Sequence, residues 1–158
     1  MGNKQQSGAP EISLSKLIDL LNEDLSRQYL AIKIYATYSQ MIKGADQRVI
    51  AKVLGRKVRE ELQHALMMAN QIHSLGGMPE IKPPVVGTSD NLKEMLRLML
   101  ESVNETICHY RERVRQCEAL GKYAMAEQIG EILLDELQHQ IDLTTALAYR
   151  GLISRGIQ

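Results

Sequence analysis

Two segments decide the fold of this chain: VREELQHALMM at residues 58–68 and ILLDELQHQID at residues 132–142. Each contains the tetrapeptide ELQH, at residues 61–64 and again at residues 136–139. A glutamate and a histidine three residues apart lie on the same face of an α-helix, one turn from each other. Apolar residues at helical spacing surround both pairs, so both Glu-x-x-His pairs are predicted to point into the core.

The apolar pattern along the chain predicts four long helices. They span approximately residues 12–43, 46–75, 91–120 and 122–150. Gly44 separates the first predicted helix from the second, and Gly121 separates the third from the fourth. Asp46 is the expected N-cap of the second helix. The residues from Asn91 to Glu94 suggest a capping box at the start of the third helix.

The connections between these helices predict their arrangement. Two connections are short, whereas GGMPEIKPPVVGTSD at residues 76–90 is a long segment rich in proline and glycine. Two antiparallel helical hairpins joined by a long crossover form an all-α four-helix bundle. A solenoid would require at least three repeats, and a long coiled-coil dimer would not need the crossover. The predicted division is a flexible tail at 1–11, the bundle at 12–150 and a short C-terminal tail at 151–158.

Composition excludes several classes of partner. Lys plus Arg and Asp plus Glu both number 19, so net charge does not favour nucleic acid or an anionic membrane. No apolar run approaches the roughly 20 residues that span a bilayer, and the N-terminal residues lack an apolar signal segment. Cys108 and Cys117 lie too far apart on one predicted helix for a disulfide. The expectation is a cytoplasmic protein with two free thiols.

The ELQH repeat belongs to a larger internal symmetry. Tyr35 precedes Glu61 by 26 residues, and Tyr110 precedes Glu136 by the same number. Each hairpin therefore carries a tyrosine on its first helix and a Glu-x-x-His on its second. Both tyrosines are predicted to form hydrogen bonds that support the residues of the polar centre, with ordinary core packing as the alternative.

Two buried glutamates and two buried histidines favour a divalent-metal site, because ionised carboxylates are rarely buried unless they are paired or bind metal. The predicted ligands are Glu61, His64, Glu136 and His139. The alternative is a Glu–His hydrogen-bond network without metal. One Glu-x-x-His is a weak signal, whereas the symmetric duplication favours the metal site.

Four segments of the chain resemble the helices of the ferritin-like superfamily, and of bacterioferritin in particular. They are LNEDLSRQYLAIKIY at 21–35, EELQHALMMANQIHSLGGMP at 60–79, EMLRLMLESV at 94–103 and EILLDELQHQIDL at 131–143. The resemblance implies a dinuclear iron centre that oxidises Fe(II) with dioxygen or peroxide. It also implies a shell that stores the ferric product.

Two ligand positions depart from this family pattern. The first-helix glutamate of the family would lie seven residues before Tyr35, where this chain has Gln28. The third-helix glutamate would lie seven residues before Tyr110, where this chain has Val103. Both positions precede the glutamate of their ELQH by 33 residues, so the same register applies to each hairpin.

Neighbouring carboxylates offer little compensation for these losses. Asp24, one turn before Gln28, is the better substitute, since Glu105 lies about 200° round the helix from Val103, on the outer face. Two glutamates neutralise one divalent ion, and two Glu with two His suit one four-coordinate ion, iron or zinc. The prediction is one ion or none per chain, with weak or absent ferroxidase activity, so whether the chain is an enzyme is left open.

Haem is not expected. The family binds haem through a methionine that follows the second-helix glutamate, and that position is Leu62. Met67 and Met68 nearby are assigned to core packing, and His73 and His109 to the surface or an interface. The basic run RERVRQ at residues 111–116 is assigned to a solvated face.

The resemblance also implies assembly with further copies. An antiparallel homodimer is the minimum expectation, and a 24-subunit cage is the larger one, although only 19 residues follow His139 for the usual fifth helix. Three functions stay open: iron handling with a degenerate centre, a non-catalytic scaffold subunit that co-assembles with an active paralogue, and one-metal binding or unrelated chemistry on the same bundle.

Overall fold

The computed structural model describes residues 12–42, 48–82, 85, 87 and 89–154, with side chains as far as residue 148. Across these residues the chain forms four helices and no strand, which confirms the predicted bundle. They are α1 (Leu14–Met41), α2 (Arg48–Ser74), α3 (Leu92–Ala119) and α4 (Tyr123–Ser154). The predicted tail at 1–11 and the predicted breaks at Gly44 and Asp46 lie outside the described residues.

Local sequence explains most of the helix ends. The side chains of Ser13 and Asn91 accept hydrogen bonds from the backbone N–H groups of Lys16 and Glu94, and so cap α1 and α3. Only this half of the predicted capping box forms, because Glu94 pairs with Arg97 instead.

Left-handed glycines follow α2 and α3, as helix ends commonly require. Gly76 has φ 82° and Gly121 has φ 67°. The predicted fourth helix ended at Arg150, whereas α4 continues to Ser154. A single glycine at position 151 costs a helix only about 1 kcal/mol and does not stop it.

The crossover between α2 and α3 runs along α1. Asn22 donates a hydrogen bond to the carbonyl of Met78 and accepts one from the N–H of Glu80, and Ser26 donates to the carbonyl of Lys82. Near the other end of α1, the hydroxyl of Tyr38 donates to the carbonyl of Gly87. The crossover therefore carries the chain back along α1, so that α3 starts beside the end of α1 and runs antiparallel to it.

The core has two apolar ends and a polar middle. One apolar cluster contains Leu17, Leu21, Leu25, Met68, Ile72 and Ile129, and the other contains Ile34, Tyr38, Leu96, Met99, Ile107 and Leu143. Between them lies a layer of buried polar residues: Gln28, Glu61, His64, Glu136 and His139. The buried Asp24 and Arg113 lie at the level of the first cluster, which also contains Leu21, Leu25, Tyr110 and Cys117. Both ELQH segments contribute to this layer, as predicted from their apolar surroundings.

Alanine substitutions at three glycines test this packing. A Cβ at Gly77 would lie 2.6 Å from Ile18 Cγ2 and 3.1 Å from Ile72 Cγ2, whereas a Cβ at Gly55 or Gly130 would meet nothing within 4 Å. We expect Gly77→Ala to lower the free energy of unfolding by about 1–3 kcal/mol through overpacking. Gly55→Ala and Gly130→Ala, inside helices, should raise it by up to about 1 kcal/mol. Chemical denaturation measures all three, and a stabilising Gly77→Ala would contradict the packing.

Candidate metal centre

The four predicted ligands meet in the polar layer. Glu61 and His64 lie on α2, Glu136 and His139 lie on α4, and none is more than 6% exposed. Ligand atoms of Glu61, His64 and Glu136 lie within 4.8 Å of one another. Nδ1 of His139 lies 3.2 Å from Glu61 Oε1 and 3.4 Å from Glu136 Oε2. The geometry therefore brings all four side chains into one cluster.

Both histidines turn the same ring nitrogen toward the glutamates. Nδ1 of His64 lies 3.4 Å from Glu61 Oε2 and 3.9 Å from Glu136 Oε1. Nδ1 of His139 likewise faces both carboxylates. Two oxygen donors and two nitrogen donors from facing helices therefore converge, a donor set that iron and zinc both accept.

Two atoms of this cluster lack hydrogen-bond partners among the described residues. They are Glu61 Oε1 and His139 Nδ1, which are buried and face each other at 3.2 Å without the angles of a hydrogen bond. Unpaired buried polar atoms are costly. A cation between them would bind the oxygen and the nitrogen together, so the residues present fit a metal ion.

The pKa values of the two glutamates and two histidines are shifted because four ionisable groups lie close together in the buried cluster. Burial alone would raise the pKa of Glu61, but the close approach and positive charge of His139 and His64 hold it below the ordinary value. Burial raises the pKa of Glu136, and the nearby charge of Glu61 adds to this effect. Although burial disfavours the charged histidines, the surrounding carboxylates raise the pKa of His64 and bring that of His139 to about 10. Protonated histidines would neutralise the glutamates in the alternative network without metal.

Two outer carboxylates belong to this cluster, and the sequence analysis missed them. Nε2 of His139 lies 2.9 Å from Glu60 Oε2, and Nε2 of His64 lies 3.1 Å from Asp135 Oδ2. The signal was available, because an acidic residue directly precedes each ELQH. Spacing within one helix did not reveal it, since each contact crosses to the other helix.

The two departing positions lie beside Glu136. Gln28, Val103 and Glu136 line one cavity of about 10 Å³, room for about one water. Gln28 donates a hydrogen bond to the hydroxyl of Tyr110, and its buried Oε1 has no partner among the described residues. An amide and an aliphatic side chain therefore stand where the family pattern places carboxylates.

Asp24 does not act as a substitute ligand. Its carboxylate accepts hydrogen bonds from Arg113, with Nε at 2.6 Å from Oδ2 and Nη2 at 3.2 Å from Oδ1. Burial raises the pKa of Asp24, although the charge of Arg113 opposes the rise. The assignment of RERVRQ to a solvated face was therefore wrong for Arg113, which is 1% exposed. Its position three residues after buried Tyr110 and four before buried Cys117 turns it inward.

The two tyrosines take different roles. Tyr110 accepts the hydrogen bond from Gln28. Tyr35 packs its ring edge-to-face on His139, with 6.5 Å between ring centroids. Burial and the charges of Glu61 and Glu136 raise the pKa of Tyr35 well above the ordinary value, so its hydroxyl keeps its proton. No hydrogen bond of the Tyr35 hydroxyl is found within the described part of the chain.

The remaining residues that the sequence analysis considered as ligands or site residues lie away from the metal cluster. Leu62 is 47% exposed on the outer face of α2, His73 and Glu105 are exposed, and His109 is partly exposed. Met68 is fully buried among core residues, and Met67 packs against them, as predicted. Cys108 is exposed and Cys117 is buried, both as free thiols.

A family model described as a ferritin-like domain matches residues 18–150. This chain belongs to the ferritin-like family. The resemblance drawn from the four helical segments is thereby confirmed, together with the fold.

Individual proteins agree with this assignment. A bacterioferritin of Brucella melitensis biotype 1 is 28% identical over 135 residues, which cover 84% of this chain and 83% of the relative. A structure of ferritin-like, diiron-carboxylate proteins from Bacillus anthracis is 29% identical, with TM-score 0.83, and covers 89% of this chain and 99% of the other.

A dodecameric thioferritin of Bacteroides fragilis, a bacterioferritin-related protein, has TM-score 0.84 at 22% identity and covers 93% of each chain. At this identity the match supports the shared fold alone. Among the described helices, none combines the length and the apolar character needed to cross a membrane.

The buried Asp24–Arg113 pair gives a stability prediction. Arg113→Met leaves the buried Asp24 with only its longer contact to Arg27, at 3.5 Å, and should lower the free energy of unfolding by about 3–5 kcal/mol. The double variant Asp24→Leu/Arg113→Met removes both charges and should recover most of that loss. Arg97→Met is the control, because its pairs with Glu94 and Glu101 are exposed and its loss should change stability little. Urea denaturation checks these values, and a double variant as unstable as Arg113→Met would contradict the account.

Proposed function

We propose that this chain is a bacterioferritin-like iron-binding protein whose metal centre has lost part of its ligand set. The observation that supports this proposal is the convergence of Glu61, His64, Glu136 and His139 beside Gln28 and Val103. The donor set fits one divalent ion, and the similar proteins include a bacterioferritin and ferritin-like, diiron-carboxylate proteins.

Each side chain has a distinct part in binding. Glu61 and Glu136 supply two negative charges, which neutralise one divalent ion. His64 and His139 offer Nδ1, and binding at these nitrogens releases the protons that the surrounding carboxylates favour there. The ring of Tyr35 packs perpendicular to the ring of His139 on one side of the cluster.

Charge and electron counting argue for weak or absent ferroxidase activity. Iron supplies one electron when Fe(II) becomes Fe(III), whereas reduction of dioxygen to peroxide takes two. A centre that holds one iron ion therefore cannot supply both electrons that the reduction of dioxygen to peroxide requires. Gln28 offers a neutral oxygen and Val103 offers none, so a second divalent ion at this side would lack compensating charge.

Metal content and oxygen consumption test this proposal together. We expect the purified chain to bind at most one iron or zinc ion per chain and to consume oxygen slowly when Fe(II) is added. Glu61→Gln/Glu136→Gln should abolish binding, because both charges are lost, whereas Glu105→Gln on the exposed face of α3 should bind like the wild type. Two irons per chain with rapid oxygen consumption would overturn the proposal.

Restoring the missing carboxylates gives a second prediction. Gln28→Glu/Val103→Glu returns two charges beside Glu136 and should raise the metal content toward two ions per chain, with faster oxygen consumption. Gln28→Glu alone is the intermediate case, and Val103→Leu controls for the change of volume. Elemental analysis after equilibration with Fe(II) or Zn(II) measures the content. Unchanged content in a correctly folded double variant would contradict the assignment of these positions.

Assembly is part of the same proposal. We infer a homo-oligomer, a dimer at the least and a closed shell at the most. The bacterioferritin-related protein of Bacteroides fragilis, which shares this fold, is dodecameric. A non-catalytic subunit that co-assembles with an active paralogue is the alternative, and it would bind no metal. Light scattering of the purified chain, followed by the metal analysis above, separates these cases.

A further inference from the structure

The outer face formed by α2 and α4 carries charges of opposite sign at its two ends. Residues 48–59 of α2 include five Lys or Arg and no Asp or Glu, whereas residues 123–149 of α4 include no Lys or Arg. The exposed members of each group form a patch. The basic patch consists of Lys52, Arg56 and Arg59, and the acidic patch consists of Glu127, Glu131 and Asp135.

The basic patch borders α4. Lys52 and Arg56 continue at steps of four residues to Glu60, whose carboxylate contacts His139 on α4. Residues four positions apart are neighbours on the surface of a helix. The exposed cations therefore lie on the side of α2 that turns toward α4.

The acidic patch borders α2, but at the opposite end of the face. It ends at Asp135, which contacts His64 on α2. Next to Glu127, the side chain of Gln128 contacts Gln71 near the end of α2, whereas the basic patch lies near the start of that helix. The face therefore has a positive end and a negative end.

The internal repeat relates the two patches to each other. The two ELQH segments lie 75 residues apart, and the same spacing relates Lys52 to Glu127 and Arg56 to Glu131. Equivalent positions of the two hairpins thus have opposite charges. None of these four side chains forms an ion pair with another residue that the structure describes. Their charges are available to an external partner.

The stability of α2 does not explain the basic patch. The N-terminal end of a helix carries a partial positive charge, which favours acidic residues and disfavours cations. The helix α2 instead begins at Arg48, has no acidic residue in its first turn, and reaches its first acidic residue only at Glu60. Solubility does not require the separation either, because interspersed charges of both signs serve it equally well.

We propose that this face binds a second copy of the chain, with the basic patch of each copy on the acidic patch of the other. A two-fold axis in the plane of the face, midway between the patches and perpendicular to the line joining them, gives this arrangement. Such a contact is isologous, so it closes as a dimer and pairs the patches twice. The inference rests on the self-association proposed above and is independent of the metal site.

The face is large enough for a specific dimer. The 27 residues of α2 run beside α4, and two adjacent helices of this length present a face about 40 Å long and about 20 Å wide. Its area of about 800 Å² is close to what a standard interface buries on each partner. Leu134, three residues after Glu131, is exposed and adds apolar surface beside the acidic patch.

A polyanion such as nucleic acid fits the face less well than a second copy does. It would use the basic patch alone, while the acidic patch on the same face would repel it. A second copy uses both patches, and the overall charge of zero, from 19 cations and 19 anions, does not oppose its approach.

The experiment reverses the charge of one patch at a time. Lys52→Glu/Arg56→Glu makes both ends of the face acidic, and Glu127→Lys/Glu131→Lys makes both ends basic. The control is Lys33→Glu/Arg111→Glu, which changes the net charge as much as the first variant does, at exposed positions of α1 and α3. Sedimentation equilibrium gives the dissociation constant of each protein, and circular dichroism with thermal unfolding verifies that each is folded.

We expect each reversed variant alone to dimerise about 100-fold or more weakly than wild type, because like charges then face each other in both contacts. An equimolar mixture of the two reversed variants should dimerise at least as tightly as wild type, since every acidic end then meets a basic end. The control should behave like wild type. Added salt should weaken the wild-type dimer, because it screens exposed charges.

Three results would overturn the inference. The first is association of both reversed variants equal to that of the control, and the second is a mixture that associates no better than its folded components. The third is binding of a duplex DNA probe that Lys52→Glu/Arg56→Glu abolishes while self-association stays unchanged, which would assign the basic patch to a polyanion. A monomeric wild type would overturn the proposed assembly as well, and metal analysis then tests the metal centre separately.

Discussion

The burial of Glu61 and Glu136 is the constraint on which the rest of this bundle depends. Removing a carboxylate from water costs several kcal/mol unless a positive charge compensates for it. The four side chains of the cluster come from two hairpins, so the compensation exists only when α2 and α4 are in register. The apolar ends of the core favour collapse in several alignments, whereas a misaligned polar middle would leave buried charge without compensation.

A second buried pair of charges lies on the opposite side of the bundle and likewise requires two helices to align so that the charges compensate each other. Asp24 on α1 and Arg113 on α3 are both almost fully buried and neutralise each other. The two sides therefore differ in charge. Carboxylates and histidines gather between α2 and α4, whereas Gln28 and Val103 line the cavity on the side of α1 and α3, together with Arg27 and Glu136.

Much of the architecture could be predicted because it depends on periodicity and spacing. Apolar residues at helical intervals indicate the four helices, and the proline-rich crossover indicates where the hairpins join. The equal spacings from Tyr35 to Glu61 and from Tyr110 to Glu136 indicate that the hairpins are related. The misassignments concern Asp24 and Arg113, two residues 89 positions apart whose attraction no local pattern reveals.

Residue identity and helical periodicity alone dictate the helices and the inward direction of both ELQH segments. The resemblance to ferritin-like proteins adds that Gln28 and Val103 stand at two positions where carboxylates are expected. Tertiary packing decided which charges meet: Asp24 with Arg113, and Glu60 with His139 rather than with His64. The physical reason is that backbone geometry sets distances only over one or two turns. A contact between distant segments depends on the register at which two helices pack, and here buried charge sets that register.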